Sequence, residues 1–150
     1  MWRLSTTSSD ETEALGADIG ARLSGGEVIE LRSDLGGGKT TLVRGIARGA
    51  QSRDAVGSPS FTISREYACP DFVIHHYDFY RLAEPGIMAD ELHDVMSDDR
   101  AVVIVEWADV AEHVLPASRA VVQIAASGDD SRDITITLPE NLQHLRGENA

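Results

Sequence analysis

Between residues 28 and 50 the chain passes from a short β-favouring stretch, Val28-Ile29-Glu30-Leu31, through Ser33-Asp34-Leu35-Gly36-Gly37-Gly38 into a segment of helical spacing that opens on Lys39-Thr40-Thr41. Strand, glycine loop and helix in that order is the context a phosphate-binding loop requires. Three glycines let backbone N–H groups curl toward a nucleotide β-phosphate, and the helix N-terminus adds favourable partial charge. Lys39 can reach the β- and γ-phosphates, and the Thr40 hydroxyl can ligate Mg²⁺. The strict pattern G-x-x-x-x-G-K-[ST] would put its first glycine at position 33, where this chain has Ser33. Serine is small enough for the turn but would be strained at a positive φ. A glycine-rich turn before a basic helix start would share the composition; the position between strand and helix favours nucleotide binding.

At 150 residues and 16.2 kDa the chain fits one ordinary domain with a real core. Its 25 acidic residues against 13 lysines and arginines leave a net charge of −12, so the surface as a whole repels phosphate backbones and argues against nucleic-acid binding by bulk charge. A content of 42% hydrophobic and 25% charged residues is globular, not disordered. No apolar run reaches the length of a membrane span, and residues 1–13 lack both a basic start and an apolar stretch. The single cysteine, Cys69, has no internal partner, which agrees with a reducing compartment. Together these features predict a soluble, cytoplasmic protein that does not enter a membrane.

Ser8, Ser9 and Asp10, followed by Glu11, Glu13 and the apolar positions Leu15, Ile19 and Leu23, predict a capped amphipathic helix ending at Gly25-Gly26. Residues 54–60, with Gly57 and Pro59, read as a loop. Residues 61–64 and 72–76 read as strands, and a turn at Cys69-Pro70-Asp71 could join them as a hairpin. Residues 83–99 are acidic, helical or irregular, and expected at the surface. Ala101-Val102-Val103-Ile104-Val105 is a continuous apolar run of the kind found in a strand buried on both faces of a parallel sheet. Residues 120–125 and 133–138 predict two more strands around Ser127-Gly128-Asp129-Asp130. The fold class is therefore α/β: a single P-loop NTPase-like domain over residues 1–139, with a mostly parallel central sheet flanked by helices and antiparallel strands at the edge. Residues 140–150 are read as a polar C-terminal tail, loose or a short helix.

A phosphate loop is ordinarily paired with an acidic residue at the end of a buried strand, which fixes the metal or a water. Glu106 stands there, directly after the apolar run and before Trp107. A carboxylate ending a strand at the surface would read the same in isolation; the upstream glycine loop favours function. Ser58-Pro59-Ser60-Phe61-Thr62 lies where P-loop proteins often sense the γ-phosphate, although a Ser-Pro turn opening a strand is also common for structural reasons. Asp78, Tyr80 and Arg81 are a base, a ring and a cation beyond a strand end. The five histidines lack metal-ligand spacing, and nothing near Cys69 suggests a lowered pKa. No N-K-x-D run is present, which favours adenine over guanine. A small kinase or phosphotransferase is the neighbouring alternative, though the acidic 83–99 segment lacks an arginine-bearing lid.

Asp34-Leu35-Gly36-Gly37-Gly38-Lys39-Thr40-Thr41, Ser58-Pro59-Ser60-Phe61-Thr62, His76-Tyr77-Asp78-Phe79-Tyr80-Arg81-Leu82 and Val105-Glu106-Trp107 together resemble the TsaE (YjeE) family, P-loop ATPases of tRNA threonylcarbamoyladenosine formation, over about residues 6–137. The resemblance implies ATP and Mg²⁺ as cofactors. Lys39 and the amides of residues 34–38 would hold phosphates, Thr40 and Glu106 would serve Mg²⁺, and Thr41 would neighbour the α-phosphate. It further implies Asp78 in the catalytic region with Lys39 and Glu106, Ser60 and Thr62 in a switch-like segment, Trp107 near the nucleotide, Arg81 nearby, and residues 8–12 toward the adenine. Departures are Ser33 for the first glycine, Gly37 where alanine is commoner and Ser60 where threonine is usual. In that family the protein is a slow ATPase partner of the TsaB–TsaD pair, in which TsaD performs the transfer. The acidic charge fits that role better than direct RNA binding, with tRNA held by the partners; Arg44, Arg48 and Arg53 could still form a local basic patch.

Overall fold

The uninterrupted apolar run ending at Glu106 lies between two other strands, and all six of its residues are buried. The computed structural model describes residues 1–33, 38–56, 64–79, 86–107 and 114–146, with only the backbone course for 86–89. In chain order the elements are β1 (Trp2–Thr6), α1 (Ser9–Ala21), β2 (Val28–Arg32), α2 (Lys39–Gly49), β3 (Ser64–Ala68), β4 (Val73–Asp78), α3 (Gly86–Met96), β5 (Ala101–Glu106), β6 (Ala120–Ala126), β7 (Arg132–Thr137) and a 3₁₀ helix at Glu140–Leu145.

Among the described residues the strands form one sheet of seven in the order β1-β7-β6-β2-β5-β4-β3. The four central strands, β6, β2, β5 and β4, are mutually parallel, and β7, β1 and β3 join antiparallel at the margins. This is the expected α/β arrangement. Parallel strands need crossovers that cover both faces, which is why β5 is almost wholly apolar and β2 and β4 are largely buried. On one face Ile29, Leu31, Ile74, Val102 and Ile104 pack with Leu15, Ile19, Leu42 and Ile46 of α1 and α2. On the other, Val28, Tyr77, Val103 and Val105 pack with Leu92 of α3 and with Leu115. Leu142 and Leu145 of the 3₁₀ helix are buried in the first cluster.

Helix α1 starts where the capping residues predict: the Ser8 Oγ accepts from the Glu11 amide at 3.1 Å. The Glu11 carboxylate accepts from the Thr7 hydroxyl and amide, which hold its carboxyl below the usual range. Helices α1 and α2 touch backbone to backbone. A Cβ at Gly45 would stand 2.0 Å from the Glu13 carbonyl oxygen, and one at Gly20 would stand 2.0 Å from that of Ile46.

Two strands differ from the sequence reading. β3 is described over Ser64–Ala68, a stretch not read as a strand beyond Ser64; residues 61–63 of the expected strand lie outside the described residues. The hairpin with β4 around Cys69-Pro70-Asp71 is present, but β3 is an edge strand that fully buries only Tyr67, so its sequence is too polar to announce it. β1 was not anticipated. It alternates half-buried Trp2 and Leu4 with exposed Arg3 and Ser5, and pairs with β7 more than a hundred residues away.

Candidate nucleotide site

The C-terminal ends of β2, β5 and β4 lie side by side, where open α/β sheets place ligands. Lys39 follows β2 as the first residue of α2, Glu106 ends β5 and Asp78 ends β4. In the parallel ladder Asp78 is the Cα partner of Glu106, and Glu106 is the partner of Leu31. Residues paired in register share a face, so both carboxylates point to the side that carries α2. Lys39, Asp78 and Glu106 are all buried.

Burial of three ionisable groups is costly unless they are compensated. The Lys39 Nζ donates to the Ser33 carbonyl oxygen at 3.4 Å, lies 3.6 Å from the Glu106 Oε1 and stands 4.4 Å from the centre of the Trp107 ring. Trp107 reaches this position through a left-handed backbone, φ 57°, at the exit of β5. Such a conformation is uncommon for a bulky residue and clusters at ligand sites. The Phe79 amide donates to the Glu106 carbonyl oxygen at 3.1 Å, extending the β4–β5 ladder past Asp78.

Gly38 caps α2 in the left-handed region with φ 99° and no side-chain hydrogen bond, so no side chain competes for the first amides of the helix. A Cβ there would come within 3.3 Å of the Arg132 Nε. Arg132 opens β7 opposite Thr6 of β1, and its Nη1 donates to the Ser131 carbonyl oxygen at 2.7 Å. The β1 end, the β6–β7 turn and the start of α2 therefore meet at one edge. Thr12, at the end of the segment expected toward adenine, is buried and bonded to the Thr6 hydroxyl at 2.6 Å. Ser33 does not take a positive φ; among the described residues only Gly25, Gly26, Gly38, Gln51 and Trp107 do. Serine at that position is therefore free of left-handed strain.

Of the residues anticipated from sequence, Gly38, Lys39, Thr40, Thr41, Asp78, Glu106 and Trp107 lie at this edge, with Thr40 and Thr41 in the first turn of α2. Asp34, Leu35, Gly36, Gly37, Ser60, Thr62 and Arg81 lie outside the described residues. Arg44 and Arg48 both face Glu13 of α1, which offsets the basic patch their spacing suggests. Cys69 sits at the far end of β4, where burial, and then the charge of Asp54, push its thiol up.

His76 was missed. It is fully buried on the same face of β4 as Asp78; its Nε2 lies 2.5 Å from the Glu106 Oε2 and its Nδ1 lies 3.1 Å from the Tyr67 hydroxyl. The period-two spacing of His76 and Asp78 was the available signal, since it places both on one face.

Among the described residues no three His, Cys, Asp or Glu side chains are grouped to hold a metal. The Thr40 hydroxyl and Glu106 carboxylate are hard oxygen donors beside a buried lysine. They fit Mg²⁺, which uses one or two protein ligands together with phosphate oxygens. No helix among the described residues is long and apolar enough to cross a membrane.

Residues 6–134 match the family model "Threonylcarbamoyl adenosine biosynthesis protein TsaE". The chain is 38% identical over 144 residues to the tRNA threonylcarbamoyladenosine biosynthesis protein TsaE of Bacillus subtilis, covering 93% of this chain and 86% of that one. It is 34% identical over 116 residues to the protein of the same name from Haemophilus influenzae, covering 77% and 72%. The crystal structure of Bacillus subtilis YdiB superposes with a TM-score of 0.78 at 32% identity, covering 96% of this chain and 90% of that chain. With the family model spanning most of its length and the sheet superposing on a solved relative, this chain belongs to the TsaE family.

Proposed function

We propose that this protein binds Mg²⁺-ATP at the edge formed by β2, β5 and β4, hydrolyses it slowly, and acts as a nucleotide-dependent switch in tRNA threonylcarbamoyladenosine biosynthesis. Its partner is the TsaB–TsaD complex, which transfers the threonylcarbamoyl group to tRNA adenosine, and it works in the cytoplasm without touching a membrane. The observation that carries this reading is the buried Lys39–Glu106 pair, 3.6 Å apart at the start of a helix whose N-terminus has no side-chain cap.

Each residue has a task within that reading. Lys39 and the loop amides of residues 34–38 neutralise the β- and γ-phosphates. The Thr40 hydroxyl and the Glu106 carboxylate hold Mg²⁺, and Thr41 lies toward the α-phosphate. Bound with the nucleotide, Mg²⁺ supplies positive charge to the γ-phosphoryl oxygens. Asp78, one strand over, offers acceptor oxygens for the attacking water, while Trp107 covers the lysine. Ser60 and Thr62 supply hydroxyls that sense the γ-phosphate. A surface with net charge −12 suits docking to proteins that hold the tRNA themselves.

The test is ATP hydrolysis by wild type, Lys39→Ala and Glu106→Ala, each with and without purified TsaB–TsaD, alongside a pull-down in ATP. Slow turnover alone, stimulation by the pair and loss of turnover in both variants are expected. Absence of both ATP binding and ATP-dependent association would end the switch reading. ADP release that depends on a small-molecule acceptor, with a phosphorylated product, would instead identify a phosphotransferase.

A further inference from the structure

Three strands contribute to a single buried line of polar side chains. Tyr67 of β3 is the Cα partner of Ile74, two residues before His76 on β4, and His76 is the partner of Ile104, two residues before Glu106 on β5. Each link is therefore a diagonal contact across neighbouring strands on one face, within reach of long or aromatic side chains. The Tyr67 hydroxyl meets the His76 Nδ1 at 3.1 Å, the His76 Nε2 meets the Glu106 Oε2 at 2.5 Å, and the Glu106 Oε1 faces the Lys39 Nζ at 3.6 Å. All four side chains are buried. An ionised carboxylate only accepts, so the Nε2 proton lies toward Glu106; in a neutral imidazole Nδ1 then accepts from the tyrosine hydroxyl.

We propose that His76, oriented by Tyr67, is a positioning residue that pins one carboxylate oxygen of Glu106 and thereby aims the other at Lys39 and the metal position. The inference rests on the reading of Glu106 as a metal-serving carboxylate. A carboxylate with both oxygens free would rotate about its terminal bond, and partners behind ligating groups commonly set their orientation and affinity. His76 occupies Oε2 from inside the sheet, where no nucleotide can reach. Its ring is itself held by the Tyr67 hydroxyl at 3.1 Å. Tyr67 and His76 touch neither phosphate nor metal; they act through Glu106.

The experiment compares wild type, Tyr67→Phe, His76→Gln, His76→Leu and the double variant Tyr67→Phe/His76→Gln. For each, the dissociation constant of a non-hydrolysable ATP analogue is measured in Mg²⁺ and in EDTA, with the thermal midpoint beside it. The gain in affinity that Mg²⁺ confers should shrink by about tenfold in His76→Leu and by a few-fold in Tyr67→Phe, with affinity in EDTA held within twofold of wild type. His76→Gln, whose amide can donate to Glu106, should recover part of the gain. The double variant should match His76→Gln alone in the Mg²⁺ gain, because Tyr67 reaches Glu106 through the ring. Steady-state hydrolysis should lose kcat in the same order. Equal Mg²⁺ gains in all variants would overturn the inference and leave the proposed function standing; so would parallel losses in Mg²⁺ and EDTA, which mean a packing role. A wild type that binds no nucleotide under either condition would overturn both.

Discussion

The Lys39 ammonium lies over the Trp107 indole, 4.4 Å from nitrogen to ring centre, and the same nitrogen is 3.6 Å from the Glu106 Oε1. A cation over an indole is attracted by the ring's negative face and also alters its emission. A nucleotide phosphate that draws Lys39 away would change that environment.

The chain contains two tryptophans, so Trp2→Phe leaves Trp107 as the sole reporter. In that background Mg²⁺-ATP should change the tryptophan emission, and Lys39→Met should both shift the starting spectrum and abolish the response. An unaltered spectrum in Lys39→Met would show that the contact does not persist in solution.

Helix α2 carries Lys39, and its distance from α1 is set by glycines. A Cβ at Gly45 would meet the Glu13 carbonyl oxygen at 2.0 Å, and one at Gly49 would meet that of Ala17 at 2.0 Å. Those neighbours are backbone and cannot swing aside. Gly45→Ala should therefore cost about 2 kcal/mol or more, in the upper part of the range for overpacking. Gly128→Ala, which would touch only Ser131 at 3.4 Å, serves as the near-neutral control. Urea denaturation of both variants decides; equal midpoints would mean that the helices separate freely.

Gly38 poses a different constraint, because its φ of 99° strains any L side chain. Gly38→Ala should lose about 1–2 kcal/mol of stability, from the backbone rather than from Arg132. Adding Arg132→Ala should then fail to restore the loss in thermal denaturation. Full restoration would assign the cost to the Arg132 contact at 3.3 Å instead.

Glu30 lies on the opposite face of β2, with the Arg119 Nε at 2.8 Å and the Arg32 Nε at 2.5 Å. Burial pushes its carboxyl up, but hydrogen bonds and charge from the two arginines together outweigh burial and hold it below 4.5. A depressed carboxylate contributes stability that is present above its unfolded pKa and lost as pH falls through the folded value. Glu30→Gln should cost roughly 3 kcal/mol at pH 7, mostly by removing the carboxylate charge from beside the Arg119 guanidinium, whose side chain is 9% exposed, since the Arg32 side chain is half exposed and screened. Below about pH 4.5 the gap between wild type and variant should narrow. A gap that stays constant from pH 7 to pH 3 in urea titrations would contradict the ion-pair account.

Much of the candidate site was legible because its signals are local. Gly38 before Lys39, a capped amphipathic helix at Ser8 and an apolar run stopping at Glu106 each express backbone chemistry within a few residues, and each stands where that chemistry predicts. The alternation in Trp2–Thr6 is equally local, but five residues of mixed polarity mean little until β7 supplies a partner. His76 is the sharper case. Read along the chain it is one of five histidines without ligand spacing; in the sheet it links Tyr67 to Glu106, nine and thirty residues away. Local steric preference and hydrophobic period dictated which segments became strands and helices. Which buried polar groups meet depended on strand order and register, and those follow from packing the whole sheet at once.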